Sequence, residues 1–287
     1  MSVFFTDTDC EMDYTDAESL GIRVIGMPYT IDGKEHIYDF GKNTDVKDFY
    51  DRMRKGELTT TAGLNTEDYL SYFEPVLKSG EDILYVHFSS ELSATFNYMK
   101  IAINILEEKY PRRKITCFDT KNISLGAGLQ VIEAAKLHNQ GASDKEVIEF
   151  LESFNERISV YFYVDSLKYL KRGGRISAAA AVMGSVLNIK PILTVTPDGK
   201  LEKLTTMRGS KKAISFLFDK FLFEYSNNGN YETFVIDADN PEGGDELAQK
   251  LIKSGRNVSV RRLSVGPVIG THCGPGTIGL IFVNKMH

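Results

Sequence analysis

The stretch from Asp82 to Gly141 constrains the fold more than any other part of the chain. It reads DILYVHF, SSELSATFNYMKIAINILEEKY, KITCFDT and ISLGAGLQVIEAAKLHNQG in succession. The two short runs have the composition of buried strands, and the two long ones read as helices. Strand, helix, strand, helix in that order argues for a parallel sheet covered on both faces. The flanking sequence continues the regime. SVFFTD reads as a strand, and RVIGMPYTI and KEHIYDF read as extended segments around an Asp32-Gly33 turn. TDVKDFYDRMRKG reads as a helix closed by Gly56. NTEDYLSYFEPVLKSG has Asn65 as N-cap and Tyr69, Phe73, Val76 and Leu77 on one stripe, with Pro75 expected to kink or shorten it. SDKEVIEFLESFNERI opens on Ser143 and Glu146 at capping-box spacing.

After Glu156 the pattern changes. SVYFYVD, PILTVTPDGKLEKLTTMR, YETFVIDAD, NVSVRRLSV and TIGLIFVNK read as strands, with a local antiparallel hairpin at the PDG turn. SLKYLK, ISAAAAVMGSVLN, SKKAISFLFDKFLFEYS and GGDELAQKLIKSG read as the helices between them. The expectation is an α/β protein of two domains. Residues 1–157 form a three-layer parallel-sheet domain, and residues 158–287 form a second α/β domain with a mixed sheet. A cleft between domains is the default place for a ligand.

Composition removes several function classes. A net charge of -5 gives no argument for a nucleic-acid or acidic-membrane partner. No apolar run is long enough to span a bilayer, and MSVFFTDTDC lacks a basic leader and meets Asp7 and Asp9 early, so a cytoplasmic protein is expected. Cys10, Cys117 and Cys273 are scattered, with no CxxC spacing, which disfavours a disulfide framework or a thiolate zinc site. In DTDCEMD, Asp7, Asp9, Glu11 and Glu18 match positions of a calcium loop. Met12 stands where that loop needs Gly, so calcium is rejected. Asp7 still ends a strand, where α/β folds place their clefts. No metal or cofactor is expected.

Four stretches carry candidate chemistry. HFSSELSAT ends a strand and opens a helix with Ser89, Ser90, Ser93 and Thr95, a setting for a carboxylate or phosphate or for plain capping. TTTAGLN, with Thr59 to Thr61, stands before another helix and reads alone as a loop and cap. KRGGRIS offers Arg172 and Arg175 to an anion, or is a solvated basic turn. VGPVIGTHCGPGTIG sets His272 among five glycines. Either the chain turns tightly there or something must approach the imidazole closely. Cys273 follows His272, and on an extended chain such neighbours point apart, which disfavours a Cys–His dyad. No GxSxG, HExxH or GxGxxG is present.

Taken in order, TDTDCEM, GMPYTIDGKEHIYD, TTAGLNTEDY, FSSELSAT, LKYLKRGGRIS and IGTHCGPGTIGL resemble the motifs of the DegV family of bacterial fatty-acid-binding proteins over nearly the whole chain. The resemblance implies one long-chain fatty acid, its tail in an apolar tunnel and its carboxylate at the domain junction. It implies that the protein is not itself an enzyme. It would present the acid to a separate ATP-binding kinase subunit that makes an acyl phosphate. Carried onto matching positions, the carboxylate contacts are Thr61, Ser93 and His272, with Ser90, Arg172 and Arg208 near the head group or facing the partner. The glycines would then let backbone and ligand approach His272. Two departures stand out: LSAT in place of LSGT puts a methyl at Ala94, and TAGL in place of TSQP removes polar groups at Ala62 and Gly63. The rival from another class is an enzyme or substrate-holding subunit acting on a small carbonyl or carboxylate through His272, as in dihydroxyacetone kinases, whose fold is similar.

Overall fold

The computed structural model describes residues 2–177, 188–226 and 230–285. In chain order the elements of the first half are β1 (Val3–Asp7), α1 (Tyr14–Ser19), β2 (Arg23–Ile25), β3 (Pro28–Ile31), β4 (Lys34–Ile37), α2 (Val46–Arg54), β5 (Thr59–Thr61), α3 (Thr66–Lys78), β6 (Ile83–His87), α4 (Thr95–Lys109), β7 (Ile115–Asp119), α5 (Leu125–Asn139) and α6 (Asp144–Asn155). The second half adds β8 (Ile158–Tyr163), α7 (Lys168–Arg172), β9 (Ile189–Val195), β10 (Leu201–Arg208), α8 (Ser210–Glu224), β11 (Glu232–Asp237), α9 (Pro241–Ile252), β12 (Ser259–Ser264), α10 (Pro267–Cys273) and β13 (Ile278–Val283). The chain divides into two compact units. The first holds Met1–Thr30, Lys34–Thr44 and Thr61–Glu156; the second holds Ile31–Gly33, Asp45–Thr60 and the chain from Arg157. The segment carrying α2 thus groups with the second unit.

The first unit is built on a parallel sheet of order β2-β1-β6-β7. Successive residues of a strand point to opposite faces. Phe5 meets Phe73 of α3 edge to face, and its neighbour Phe4 meets His138 of α5. The pair α3 and α4 therefore covers one face, and the pair α5 and α6 the other. Every residue of β6 is buried, as a central strand between two helical layers requires.

The second unit carries a six-stranded mixed sheet, β10-β9-β8-β13-β11-β12, in which only β11 and β12 run parallel. α8 and α9 supply Ile214, Leu217, Phe221, Leu247 and Leu251 to a core shared with Tyr163, Leu280 and Phe282 of the strands. Three short strands form a small separate sheet of order β4-β3-β5. Asp32 and Gly33 join β3 to β4 with φ of 50° and 73°, the two left-handed positions of a tight hairpin turn.

Three local expectations are corrected. Pro75 does not break α3, which runs on to Lys78. It stands in the last turn, where little helix remains to be disrupted. The helix expected from Ser89 begins only at Thr95: Ser90–Leu92 is a 3-10 turn, and Ser93 leaves it in extended conformation. The glycine-rich run before His272 is not extended; Pro267–Cys273 is α10, opened by a proline at its first turn. Most of the ISAAAAVMGSVLN helix falls on residues 178–187, outside the described residues.

Candidate functional site

Two groups of the residues singled out by sequence are assembled, one in each unit. In the first unit the chain after β5 lies against the start of α4. A Cβ on Gly63 would stand 3.1 Å from the Thr95 Cβ, so a side chain there would press on the helix. The Thr95 hydroxyl donates to the Leu64 carbonyl at 3.1 Å and lies 3.1 Å from the Tyr69 hydroxyl. Thr61 is half-buried at the end of β5, two residues before this contact. Ser93, also half-buried, accepts at Oγ from the Thr95 N–H at 3.3 Å. Its hydroxyl hydrogen is left to point elsewhere.

The departures from the family motifs have a physical reading here. Gly63 is where close approach is needed, in place of the polar groups that the family pattern carries. Ala94 has φ -72° and an exposed side chain, so its methyl meets no backbone strain. Ser90 is committed elsewhere, donating to Asp119 at 2.6 Å. Asp7, at the end of β1, is fully buried rather than open to a ligand. It accepts from the Asp9 N–H, the Phe88 N–H and the Tyr85 hydroxyl at 3.0, 3.3 and 3.0 Å. Burial outweighs these donors and pushes its carboxyl up to about 7.

The second unit holds His272. Its imidazole packs Nδ1 side first against the end of α7: a Cβ on Gly173 would collide with Nδ1 and stand 2.8 Å from Cε1. Gly174, at φ 73°, turns the chain away. This is the physical reason for the paired glycines in KRGGRIS. Burial first, then the charges of Arg175 and Arg172, push the imidazole down to about 3, so it is neutral near pH 7. Arg172 donates to both the carbonyl and the hydroxyl of Thr59 at 3.2 Å, and its guanidinium lies 5.4 Å from the Tyr169 ring centroid. Arg175 donates to the Gly173 carbonyl. Arg208 ends the edge strand β10, paired in register with Ile189, and the charges acting on His272 do not include its own.

Three further glycines of the motif also stand against protein neighbours. A Cβ at Gly270 would strike the Tyr50 ring, one at Gly274 the Tyr169 ring, and one at Gly276 the Asp165 carboxylate. Tyr50 also donates to the Val265 carbonyl at 2.9 Å, fixing the approach to α10. His272 is therefore wedged in place by groups distant in sequence. Gly-for-contact at 173, 270, 274 and 276 was the one available signal, and it does not say which contact.

Comparison with known proteins bears on both groups. The family model described as "Uncharacterised protein, DegV family" matches residues 3–285. A DegV domain-containing protein of Clostridium perfringens is 35% identical over 281 residues, covering 98% of this chain and 97% of its own. Another from Lactococcus lactis is 35% identical over 287 residues, covering 98% and 96%. Among solved structures, a fatty-acid-binding DegV family protein of Thermus thermophilus superposes with a TM-score of 0.86 at 28% identity, covering 99% of this chain and 100% of its own. DegV of Bacillus subtilis, described as a fatty acid binding protein, gives 0.83 at 27% identity, covering 99% of each chain. Among the described residues no helix is long and apolar enough to cross a membrane.

Proposed function

The chain belongs to the DegV family, and on that premise we propose that it binds one long-chain fatty acid through the carboxylate and hands it to a separate ATP-binding kinase subunit for acyl-phosphate formation. The observation that carries the binding reading is the likeness over 99% of the chain to the Thermus protein whose structure is described by its fatty acid binding. The proposed carboxylate contacts are Thr61 and Ser93 of the first unit and His272 of the second.

The chemistry of each group supports the reading. A neutral imidazole has one N–H to donate. Arg172 and Arg175 beside it disfavour its protonation, and the same positive field favours an incoming carboxylate. A buried carboxylate needs several donors, and charge-assisted hydrogen bonds are about twice as strong as neutral ones. The handover is the part of the proposal that rests on the family resemblance alone.

The test is native mass spectrometry of the purified protein, then denaturation and identification of any released lipid. The expected result is one fatty acid per chain. An empty protein with no affinity for acids of any chain length would reject the reading. Acyl-phosphate formation with ATP and a DegV-dependent fatty-acid kinase subunit tests the handover separately.

A further inference from the structure

The first unit contains a cavity of about 310 Å³ to which the reading above gives no role. It lies between α1, β2, β4, the loop after β4 and α3. Its apolar wall comes from Ala17, Ile22, Val24 and Ile37. Aromatic rings of Tyr14, Tyr38, Phe40 and Tyr72 complete it, and Glu18, Asp39 and Lys42 carry its charges. The volume is at the lower end of small-ligand sites.

Tyr38 is the telling residue. It lines the cavity and is only 4% exposed, yet its hydroxyl has no hydrogen-bond partner among the described residues. The hydroxyl is not sealed off with the rest of the ring: it reaches the open cavity, where a ligand can meet it. Burial, and then the carboxylates of Glu11, Asp39, Asp13 and Asp9, push its phenol well up, which keeps it neutral in a negative surrounding. The mouth already holds an ammonium. Lys42 pairs with Glu18, and its Nζ stands 5.9 Å from the centroid of the Tyr14 ring. Aromatic faces joined to carboxylates attract cations with an apolar body.

We propose that this cavity is a second ligand site, separate from the fatty-acid contacts, and that it takes a small organic ammonium with an apolar body. The ammonium replaces Lys42 at Glu18 and the aromatic rim. The body fills the wall of Ile22, Val24 and Phe40, and the Tyr38 hydroxyl accepts one N–H.

The test is calorimetric titration of the full chain with phenethylammonium chloride and, in parallel, with the neutral 2-phenylethanol. The amine is expected to bind saturably and about ten-fold more tightly than the alcohol. Glu18 and Lys42 side chains are 58% and 52% exposed, so their substitution leaves the fold intact. Glu18→Gln should weaken the amine roughly three- to five-fold and Lys42→Gln should tighten it by a similar factor, as fits a partly exposed charge pair. Tyr38→Phe should weaken the amine while leaving thermal stability essentially unchanged, because the hydroxyl it removes makes no hydrogen bond to a described residue. Bound fatty acid, measured by mass spectrometry, should be unaffected by all three substitutions. Equal binding of the alcohol, weaker binding in Lys42→Gln, no effect of Tyr38→Phe, loss of the fatty acid in these variants, or no saturable binding would each overturn the proposal.

Discussion

The bend at Ser93 and the end of α10 at His272 hold their polar side chains by opposite means. Ser93 stands in an extended bend between a 3-10 turn and α4, half-buried, anchored by one backbone donor at 3.3 Å. Its conformation is a local matter of capping. His272 is fixed by sterics: Gly173 admits the ring, Gly270 admits Tyr50, and Gly274 admits Tyr169. A site held by capping tolerates substitution nearby, as Ala94 illustrates. A site held by backbone contact tolerates almost none, because glycine has no smaller replacement.

The largest expected effect comes from adding one methyl to the tighter region. Gly173→Ala would drive a Cβ into the His272 ring. Overpacking of this kind costs about 1–3 kcal/mol and displaces the imidazole. Thermal denaturation should show a clear fall in Tm, and bound fatty acid should drop by more than about ten-fold, given charge-assisted bonds worth about 1.5–3 kcal/mol. Retention of the acid at the normal level would show that ring placement does not depend on this contact.

Titration separates the regions next. Asp7 in the first unit is raised to about 7, so the folded state holds its proton when the unfolded state has lost it. That contribution is fully present below about pH 4 and is lost as pH rises toward 7. His272 is lowered to about 3, so the folded state lacks a proton that the unfolded state binds below about pH 6.5. Its contribution is present above that value and is lost as pH falls toward 3. The two slopes oppose each other between about pH 4 and 6.5, each at up to about 1.4 kcal/mol per pH unit. Urea denaturation of Asp7→Asn should therefore show stability rising more steeply with pH across this window than in the parent chain. His272→Gln should show the reverse. Unchanged slopes in both variants would mean that neither group carries the shift.

Ligand contacts come third. His272→Ala should reduce fatty-acid retention about ten-fold or more, and Ser93→Ala about two- to ten-fold, because a neutral hydroxyl bond is worth about 0.5–1.5 kcal/mol. Lipid extraction and quantitation from each variant gives the ratio. A larger loss in Ser93→Ala would reverse the ranking of the two regions. The smallest effect belongs to Ala94→Gly. With φ at -72° the alanine is unstrained, so stability should change by less than about 0.5 kcal/mol. A marked gain in fatty-acid binding would show that the methyl shifts the head group.

Local chemistry made much of this molecule legible before any coordinates. Asn65 does cap α3, Ser143 and Glu146 do form a capping box, Gly56 does take a left-handed φ of 95°, and β6 is buried throughout. These features depend on residues within a few positions of each other. α10 escaped because glycine and proline density reads as a loop, whereas here Pro267 opens the helix and the glycines face packed side chains. The cavity beside Tyr38 escaped as well, because its walls come from α1, β2, β4 and α3, with no shared periodicity to join them.

By itself the sequence determined the alternation of the longer strands and helices, the caps at Asn65 and Ser143, and the ordered motifs that mark the family, since each is written in neighbouring residues. Only the tertiary structure decided what the glycines are for. Gly173 and His272 lie 99 positions apart in the chain. Whether a missing side chain makes room for a ligand or for an imidazole is a question of which atoms fold back against it, and that depends on every element packed between them.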